Sequence, residues 1–235
     1  MKYPVTAVIL AAGKGLRMGG LLPKQFQELA GRPMLVHALE AFDAAPSVNA
    51  IVIVSSEEEL IREKILKHWL IKKPIFFAEG GRERQYSVWN ALNAIENSEL
   101  VVIHDGVRPL VQVRVIEESI AAARQFGAAA AGMPSKDTIK EVNEQGFSIR
   151  TPDRSRLWMI HTPQAFKFSL LKDAHLKARQ ESWLGTDDSS LVERMGHPVK
   201  LIEAGYDNIK ITTPEDLVVA SHILKCRNGK ESRSL

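Results

Sequence analysis

Residues 5–15 read Val5-Thr6-Ala7-Val8-Ile9-Leu10-Ala11-Ala12-Gly13-Lys14-Gly15, and the chain continues as LRMGGLLPKQF to Phe26. Val5 to Leu10 is a short apolar run that stops in small residues and glycines, which predicts a buried strand leading into a Gly-rich turn. Two alanines and two glycines let backbone N–H groups come close to phosphate oxygens, and Arg17 and Lys24 can place positive charge beside them. Spacing excludes two common phosphate loops. A Walker A loop needs Gly-Lys followed by Ser or Thr, and the third glycine of a dinucleotide fingerprint is here Met18. A plain strand-to-helix turn with solvated charges is the competing reading, and the joint spacing of loop, Arg17 and Lys24 weighs against it.

Outward from this loop, short β-branched runs alternate with stretches of helical period. PMLVHALEAFDAA sets Leu35, Leu39 and Phe42 on one helical face, with Pro33 at the helix start. AIVIVSS reads as a buried strand, and SEEELIREKILKHW as a helix capped by Ser56, acidic at its start and basic at its end. PIFFAEGG, LVVIHDG and AAAAGMP read as further strands; RERQYSVWNALNAI and VRVIEESIAAARQFG read as helices, the second stopped by Gly127. The alternation predicts an α/β fold, a Rossmann-like, doubly wound and mainly parallel sheet, with ligands at the carboxyl ends of its strands.

Ser135 to Arg156 breaks the pattern, having few large apolar side chains and a turn at Asn-Glu-Gln-Gly. It reads as a projecting β-hairpin arm. Alternation resumes with the helix FSLLKDAHLKAR and with DDSSLVERMG, where Ser190 and Glu193 are spaced as a capping box. PVKLIEA and NIKIT read as strands, and a closing helix starts at Pro214. The tail from about Cys226 is expected to fray, and no linker divides the 235 residues, so a single domain is expected.

Hydrophobic residues at 45% and charged residues at 25% exclude disordered, collagen-like and coiled-coil classes. No apolar stretch approaches the roughly 20 residues of a membrane span, and the apolar run at the N-terminus is too short for a secretory signal. One cysteine, Cys226, suits a reducing compartment, so the cytoplasm is the expected location. The net charge of +3 is spread among interleaved charges, which gives no nucleic-acid face; any basic site is local and suited to something small and anionic.

AAGKGLRM with PKQF resembles the opening of sugar nucleotidyltransferases. GGRERQYSV, HDGVRP, KDTIK, TPQAF, GTDDSSLVE and DNIKITTPEDL each resemble, in the same order, a segment of the 2-C-methyl-D-erythritol 4-phosphate cytidylyltransferases. The similarity runs from about Val5 to Leu217. It implies a reaction of CTP with a polyol phosphate that releases pyrophosphate, with Mg²⁺ arriving on the triphosphate. A phosphate oxygen attacking a nucleotide α-phosphate needs positioned cations above all, because two polyanions must meet.

The resemblance implies that Arg17 and Lys24 hold the triphosphate and stabilise the transition state, while Arg154 and Lys210 grip and aim the acceptor phosphate. It lines the nucleotide site with Ala11, Ala12, Gly13 and Gly15, and puts Gly80, Gly81, Arg84 and Ser87 around cytosine and ribose. It gives Asp105, Arg108, Thr138, Lys140, Thr162, Thr186 and Asp187 to the acceptor. Local roles compete at several positions. Ser87 could back-bond within its helix, Asp105 could serve a turn or the metal, and Thr186 and Asp187 could cap a helix. Val107 stands where the family run has Ala, and His161 receives no role. The histidines show no ligand spacing, so no dedicated protein metal site is expected. The arm has too few apolar side chains to be stable alone, so a homodimer is expected, and the resemblance implies that each hairpin helps complete the neighbour's acceptor site. Ribitol 5-phosphate cytidylyltransferase is the nearest alternative, differing at DRSRLW and GTDDSSLVE. A non-catalytic nucleotide-binding regulator should have lost Arg17 or Lys24.

Overall fold

The computed structural model describes residues 2–13 and 23–231. In chain order these form β1 (Lys2–Leu10), a 3-10 turn at Lys24–Phe26, β2 (Glu28–Leu29), β3 (Arg32–Pro33), α1 (Met34–Ala44), β4 (Ala50–Val54) and α2 (Glu58–Ile61). They continue with β5 (Ile75–Ala78), α3 (Arg84–Ala94), β6 (Asn97–Asp105), α4 (Val113–Phe126), β7 (Ala128–Pro134), β8 (Glu141–Val142) and β9 (Ser148–Arg150). A 3-10 turn at Arg154–Arg156 leads to β10 (Trp158–Lys167), α5 (Phe168–Gln180), α6 (Asp188–Arg194), β11 (Lys200–Glu203) and α7 (Pro214–Glu231).

Among the described residues one seven-stranded sheet has the order β11-β7-β10-β6-β1-β4-β5. β1 pairs in parallel with both β4 and β6, β4 with β5, and β11 with β7, while β10 runs antiparallel between β6 and β7. The alternation expected from sequence is thus a doubly wound sheet. Alternate residues of the central strands feed opposite faces, because successive side chains in a strand point to opposite sides. Val5, Ala7 and Ile9 pack with Leu35, Leu39, Phe42, Ile116 and Ile120 on one face. Val8, Val52, Val101, Ile103 and Phe166 pack with Val88, Leu92 and Leu171 on the other. Apolar burial on both faces is what runs such as AIVIV encode.

After β1 the chain turns to one side for β4 and β5 and then crosses to β6 on the other, so the direction of winding reverses between β1 and β6. Leu10 pairs with Asp105 at the carboxyl ends of these two strands. A crevice opens at such a reversal, and in this fold class ligands bind there. Gly106 closes the corner: its N–H donates to Leu10 O at 2.9 Å, and a Cβ on it would lie 2.9 Å from the same oxygen.

Several local expectations are corrected. Ser56 is not the cap of α2; Glu57 precedes the helix, with its N–H donating to Ser55 Oγ, and after Ile61 the chain widens into a π turn over Arg62–Leu66. The capping box of α6 lies three residues earlier than expected, with Asp187 as N-cap and Ser190 at the third position, because the Ser190 N–H donates to Asp187 Oδ1 at 2.9 Å while the Ser190 hydroxyl bonds back to the Asp187 backbone. NIKIT forms no strand: the Ile211 N–H donates to Val107 O, and Asn208 is spent on tertiary bonds. Cys226 is not the start of a frayed tail, since α7 continues to Glu231 and Arg227 pairs with Asp207 while donating to Leu110 O at 2.9 Å. The 135–156 segment does hold an antiparallel hairpin, β8 with β9, whose turn is closed by Asn143 N–H to Phe147 O.

Candidate active site

The crevice between the ends of β1 and β6 is a cleft of about 650 Å³, within the usual range for small-molecule sites. Its walls come from three loops: Ala11 to Gly13 after β1, Gly81 to Glu83 before α3, and Lys210 to Thr212 before α7. The first two fit together only because position 80 is glycine. A Cβ there would lie 2.5 Å from the Ala12 Cβ, and one at position 81 would meet Tyr86 Cβ at 2.4 Å. Ser87 Oγ accepts the Gly81 N–H at 3.0 Å and donates to Glu83 O. Its hydroxyl is therefore satisfied within the loop and shapes it, which is the local reading of Ser87.

Lys24 reaches the cleft from the 3-10 turn after Pro23. Its side chain is buried, and Nζ donates to Thr212 O at 2.9 Å. That carbonyl is itself held, because the Asp216 carboxylate accepts from Thr212 N, Thr213 N and Thr212 Oγ1 at 2.7 to 2.9 Å. Gly15 and Arg17 lie outside the described residues.

Asp105 ends β6 with its carboxylate in the cleft. Arg84 Nε meets Oδ1 at 3.2 Å, Lys210 Nζ meets Oδ2 at 2.9 Å, and Arg108 Nε lies 3.9 Å from Oδ2. Burial opposes ionisation, but the Arg84, Lys210 and Arg108 charges outweigh it and hold the carboxyl well below the usual carboxylate range. Arg84 shows the reciprocal effect: burial lowers its pKa, and the Asp188 and Asp105 charges raise it further than burial lowers it. Arg108 itself is pushed down by burial, and its Nη1 donates to Asn208 O at 2.8 Å.

Thr162 and His104 lie under this carboxylate. His104 Nε2 faces the Arg108 carbonyl, which can only accept, so Nε2 carries the proton. Nδ1 is then the acceptor for the Thr162 hydroxyl, and Thr162 Oγ1 in turn accepts the Asp105 N–H at 3.0 Å. Bonded to both His104 and Asp105 of β6, the Thr162 hydroxyl acts as a strut between β10 and β6.

Burial pushes the His104 imidazole down to about 4. Unfolded, His104 binds its proton near 6.5, so between these values the unfolded chain holds the extra proton and stability falls as pH falls. The loss is at most about 3 kcal/mol for this residue. His161, lowered to about 4 by burial and by Arg108, contributes with the same sign. Thermal midpoints are expected to be level above about pH 7 and to drop between pH 6.5 and 4. A midpoint that stays level across that interval would refute a neutral, buried His104.

The structure thus gathers Ala11, Ala12, Gly13, Lys24, Gly81, Arg84, Ser87, Asp105 and Lys210 around one cleft. Gly80 and Arg108 lie directly behind it. Within the single chain it leaves others off the lining. Thr138, Lys140 and Arg154 are exposed on the arm, where Lys140 donates to Thr151 Oγ1 and Arg154 to Lys136 O. Thr186 is exposed, and Asp187 is spent on capping Ser190 and on Gln164 and Ser189. Sequence reasoning missed His104, Asn208, Asp188 and Asp216 as parts of the site. All four stand as bystanders inside HDGVRP, GTDDSSLVE and DNIKITTPEDL, and only their contacts reveal them.

A family model described as 2-C-methyl-D-erythritol 4-phosphate cytidylyltransferase matches residues 5–226. A protein of that name from Caldanaerobacter subterraneus subsp. tengcongensis is 50% identical over 224 residues, covering 94% of this chain and 99% of its own. One from Geobacillus thermodenitrificans is 49% identical over 222 residues, covering 94% and 97%. Among solved structures, 4-diphosphocytidyl-2C-methyl-D-erythritol synthase from Anaerococcus prevotii superposes with a TM-score of 0.84 at 33% identity, over 95% of this chain and 96% of that one. The 2-C-methyl-D-erythritol 4-phosphate cytidylyltransferase from Thermus thermophilus gives 0.76 at 31% identity, over 96% and 100%. With a family model over residues 5–226 and nearly full-length matches in both directions, the chain belongs to the 2-C-methyl-D-erythritol 4-phosphate cytidylyltransferase family.

Proposed function

We propose that this protein transfers the cytidylyl group of CTP to 2-C-methyl-D-erythritol 4-phosphate, giving 4-diphosphocytidyl-2-C-methyl-D-erythritol and pyrophosphate, as a step of non-mevalonate isoprenoid synthesis. Beyond family membership, the observation that carries this reading is the cleft at the β1–β6 switch point, where Arg84 and Lys210 converge on an ionised Asp105 and Lys24 lines the same cleft. In the reaction an acceptor phosphate oxygen bonds to the α-phosphorus as the bond from that phosphorus to the β-bridging oxygen breaks, and pyrophosphate leaves. No general base is required, because a phosphate monoester with a second pKa of about 6 is already ionised near neutrality.

Lys24, with Arg17, takes up charge that develops on the α-phosphate oxygens. Ala11 to Gly13 offer backbone N–H groups to the triphosphate, and the Gly80–Gly81 loop, shaped by Ser87, surrounds cytosine and ribose. Asp105 accepts from hydroxyls of the acceptor, with Arg108 behind it, while Lys210 and Arg154 take its phosphate. An ammonium has three donors, so Lys210 can serve Asp105 and a phosphate together. Thr162 and Asp187 act through the residues they hold.

Among the described residues no three His, Cys, Asp or Glu side chains are grouped to hold a metal. The Asp105 carboxylate in the cleft is already paired with Arg84 and Lys210, so the donor set suits Mg²⁺ held by the triphosphate oxygens. Bound there, Mg²⁺ neutralises phosphate charge. The lone Cys226 fits a reducing cytoplasm, and no described helix is long and apolar enough to cross a membrane. The reading needs neither nucleic acid nor membrane as partner.

The working unit in this reading is a homodimer formed through the arm. Val142, Phe147 and Ile149 are 55%, 71% and 61% exposed on a hairpin too small to be stable alone. A two-fold pair would cover them and carry Arg154 to the neighbour's cleft. Incubated with CTP, Mg²⁺ and methylerythritol phosphate, the pure protein is expected to release pyrophosphate. Faster release with ribitol 5-phosphate would overturn the acceptor assignment, and none with either would overturn the enzyme.

A further inference from the structure

Four ionisable side chains from four elements are bonded end to end, from the interior to the cleft wall. His175 on α5 meets Asp188 Oδ1 through Nε2 at 3.0 Å, and Asp188 Oδ2, at the first residue of α6, accepts from Arg84 Nη1 at 2.6 Å. Arg84, the first residue of α3, passes from there to Asp105 Oδ1 through Nε. Since Asp188 is held ionised, with the Arg84 charge and the His175 bond outweighing its burial, His175 Nε2 is the donor. His175 and Asp188 are 0% and 1% exposed and neither lines the cleft.

A carboxylate placed so deep loses its hydration and is unfavourable unless its partners are well aligned, and an apolar side chain would fill the space without that loss. What Asp188 adds is direction. Arg84 stands at the start of its helix, beside the Gly80–Gly81 loop, and Glu83 before it supplies no side-chain cap. Held by Asp105 alone, through one bond at 3.2 Å, the guanidinium could turn about its last torsions. Held at Nε and Nη1 by two carboxylates on different elements, it cannot.

We propose that Asp188, itself oriented by His175, is a positioning residue that locks the Arg84 guanidinium and through it Asp105, so that the acceptor wall of the cleft is set before either substrate binds. The kinetic consequence rests on the reading of Asp105 as an acceptor ligand; the lock does not. Both can be followed in the intact protein. In ¹⁵N spectra of the ligand-free protein, Arg84 is expected to give slowly exchanging side-chain N–H signals, identified by their loss in Arg84→Lys. They should vanish in Asp188→Ala and broaden in His175→Leu. They should persist in His175→Gln, whose Nε2 occupies the place of the imidazole donor. Signals unchanged in Asp188→Ala overturn the proposal, and if that variant does not fold, equal behaviour of the His175→Leu and His175→Gln proteins overturns it.

For turnover, Asp188→Ala should lower kcat/KM for methylerythritol phosphate roughly 10- to 100-fold, the scale on which misplaced site groups act. Combined with Asp105→Ala it should lose no more than about threefold beyond the worse single variant, because the two act as one unit. Losses that multiply would mean independent roles and would overturn the proposal. An Asp105→Ala protein within about twofold of the unaltered enzyme would instead remove the acceptor role of Asp105, and the lock would stand or fall on the Arg84 signals.

Discussion

Lys24→Ala is expected to lower kcat by about 10² or more while the affinity for CTP falls much less, as happens when a donor aimed at developing charge is removed. The geometry favours so unequal an effect. Lys24 is buried at the cleft wall and tied to Thr212 O, and the Thr212 loop is clamped by three bonds to Asp216. The ammonium is therefore placed before substrate arrives, and little reorganisation is left for the reaction step. Steady-state kinetics varying CTP at saturating acceptor give the answer directly. A normal kcat with only a raised KM for CTP would show that Lys24 contributes ground-state binding alone.

Mixing Arg154→Ala and Lys24→Ala chains by joint unfolding and refolding is expected to restore about a quarter of the unaltered activity from two inactive proteins. Arg154 sits in the turn at the foot of the arm, exposed and donating to Lys136 O, and it does not line the cleft of its own chain. If the arm crosses to a partner, one site needs Lys24 from one chain and Arg154 from the other. Random pairing makes about half the dimers mixed, and two-fold symmetry leaves each mixed dimer one intact site and one site lacking both residues. If Arg154 serves its own chain, every site in the mixture lacks one residue and no activity returns. That result would end the shared-site arrangement and leave the cytidylyl transfer untouched.

Much of the architecture was legible in the sequence because it is written at short range. Val5 to Leu10 followed by glycines, Leu35, Leu39 and Phe42 on one face, and Gly127 after α4 are patterns confined to one element each, and β1, α1 and α4 follow them. Gly127 ends its helix at φ +91°, as a left-handed terminator should. Where the sequence misled, competition between equally local signals was decided elsewhere in the fold. NIKIT has strand composition, but it pairs with no strand among the described residues: Asn208 donates to Thr162 O while its own carbonyl accepts from Arg108. Arg227 similarly extends α7 beyond the point where composition alone suggests fraying, through its partner Asp207.

The sequence by itself determined the strand–glycine-loop–helix alternation, the doubly wound sheet and the family, through ordered motifs whose spacing needs no knowledge of contacts. Only the tertiary structure decided which polar residues face the cleft and which hold it in shape. Ser87, Thr162 and Asp187 carry the same residue types as ligands would, yet their polar atoms are engaged by Gly81, by His104 with Asp105, and by Ser190 with Gln164. The bonds that make this difference span long separations, 104 residues from Arg84 to Asp188 and 57 from Asp105 to Thr162. Periodicity cannot encode such pairs. They exist because winding the chain outward from β1 and back to β6, β10 and α6 brings distant carboxylates, hydroxyls and cations to one end of one sheet, where burial obliges each to find a partner.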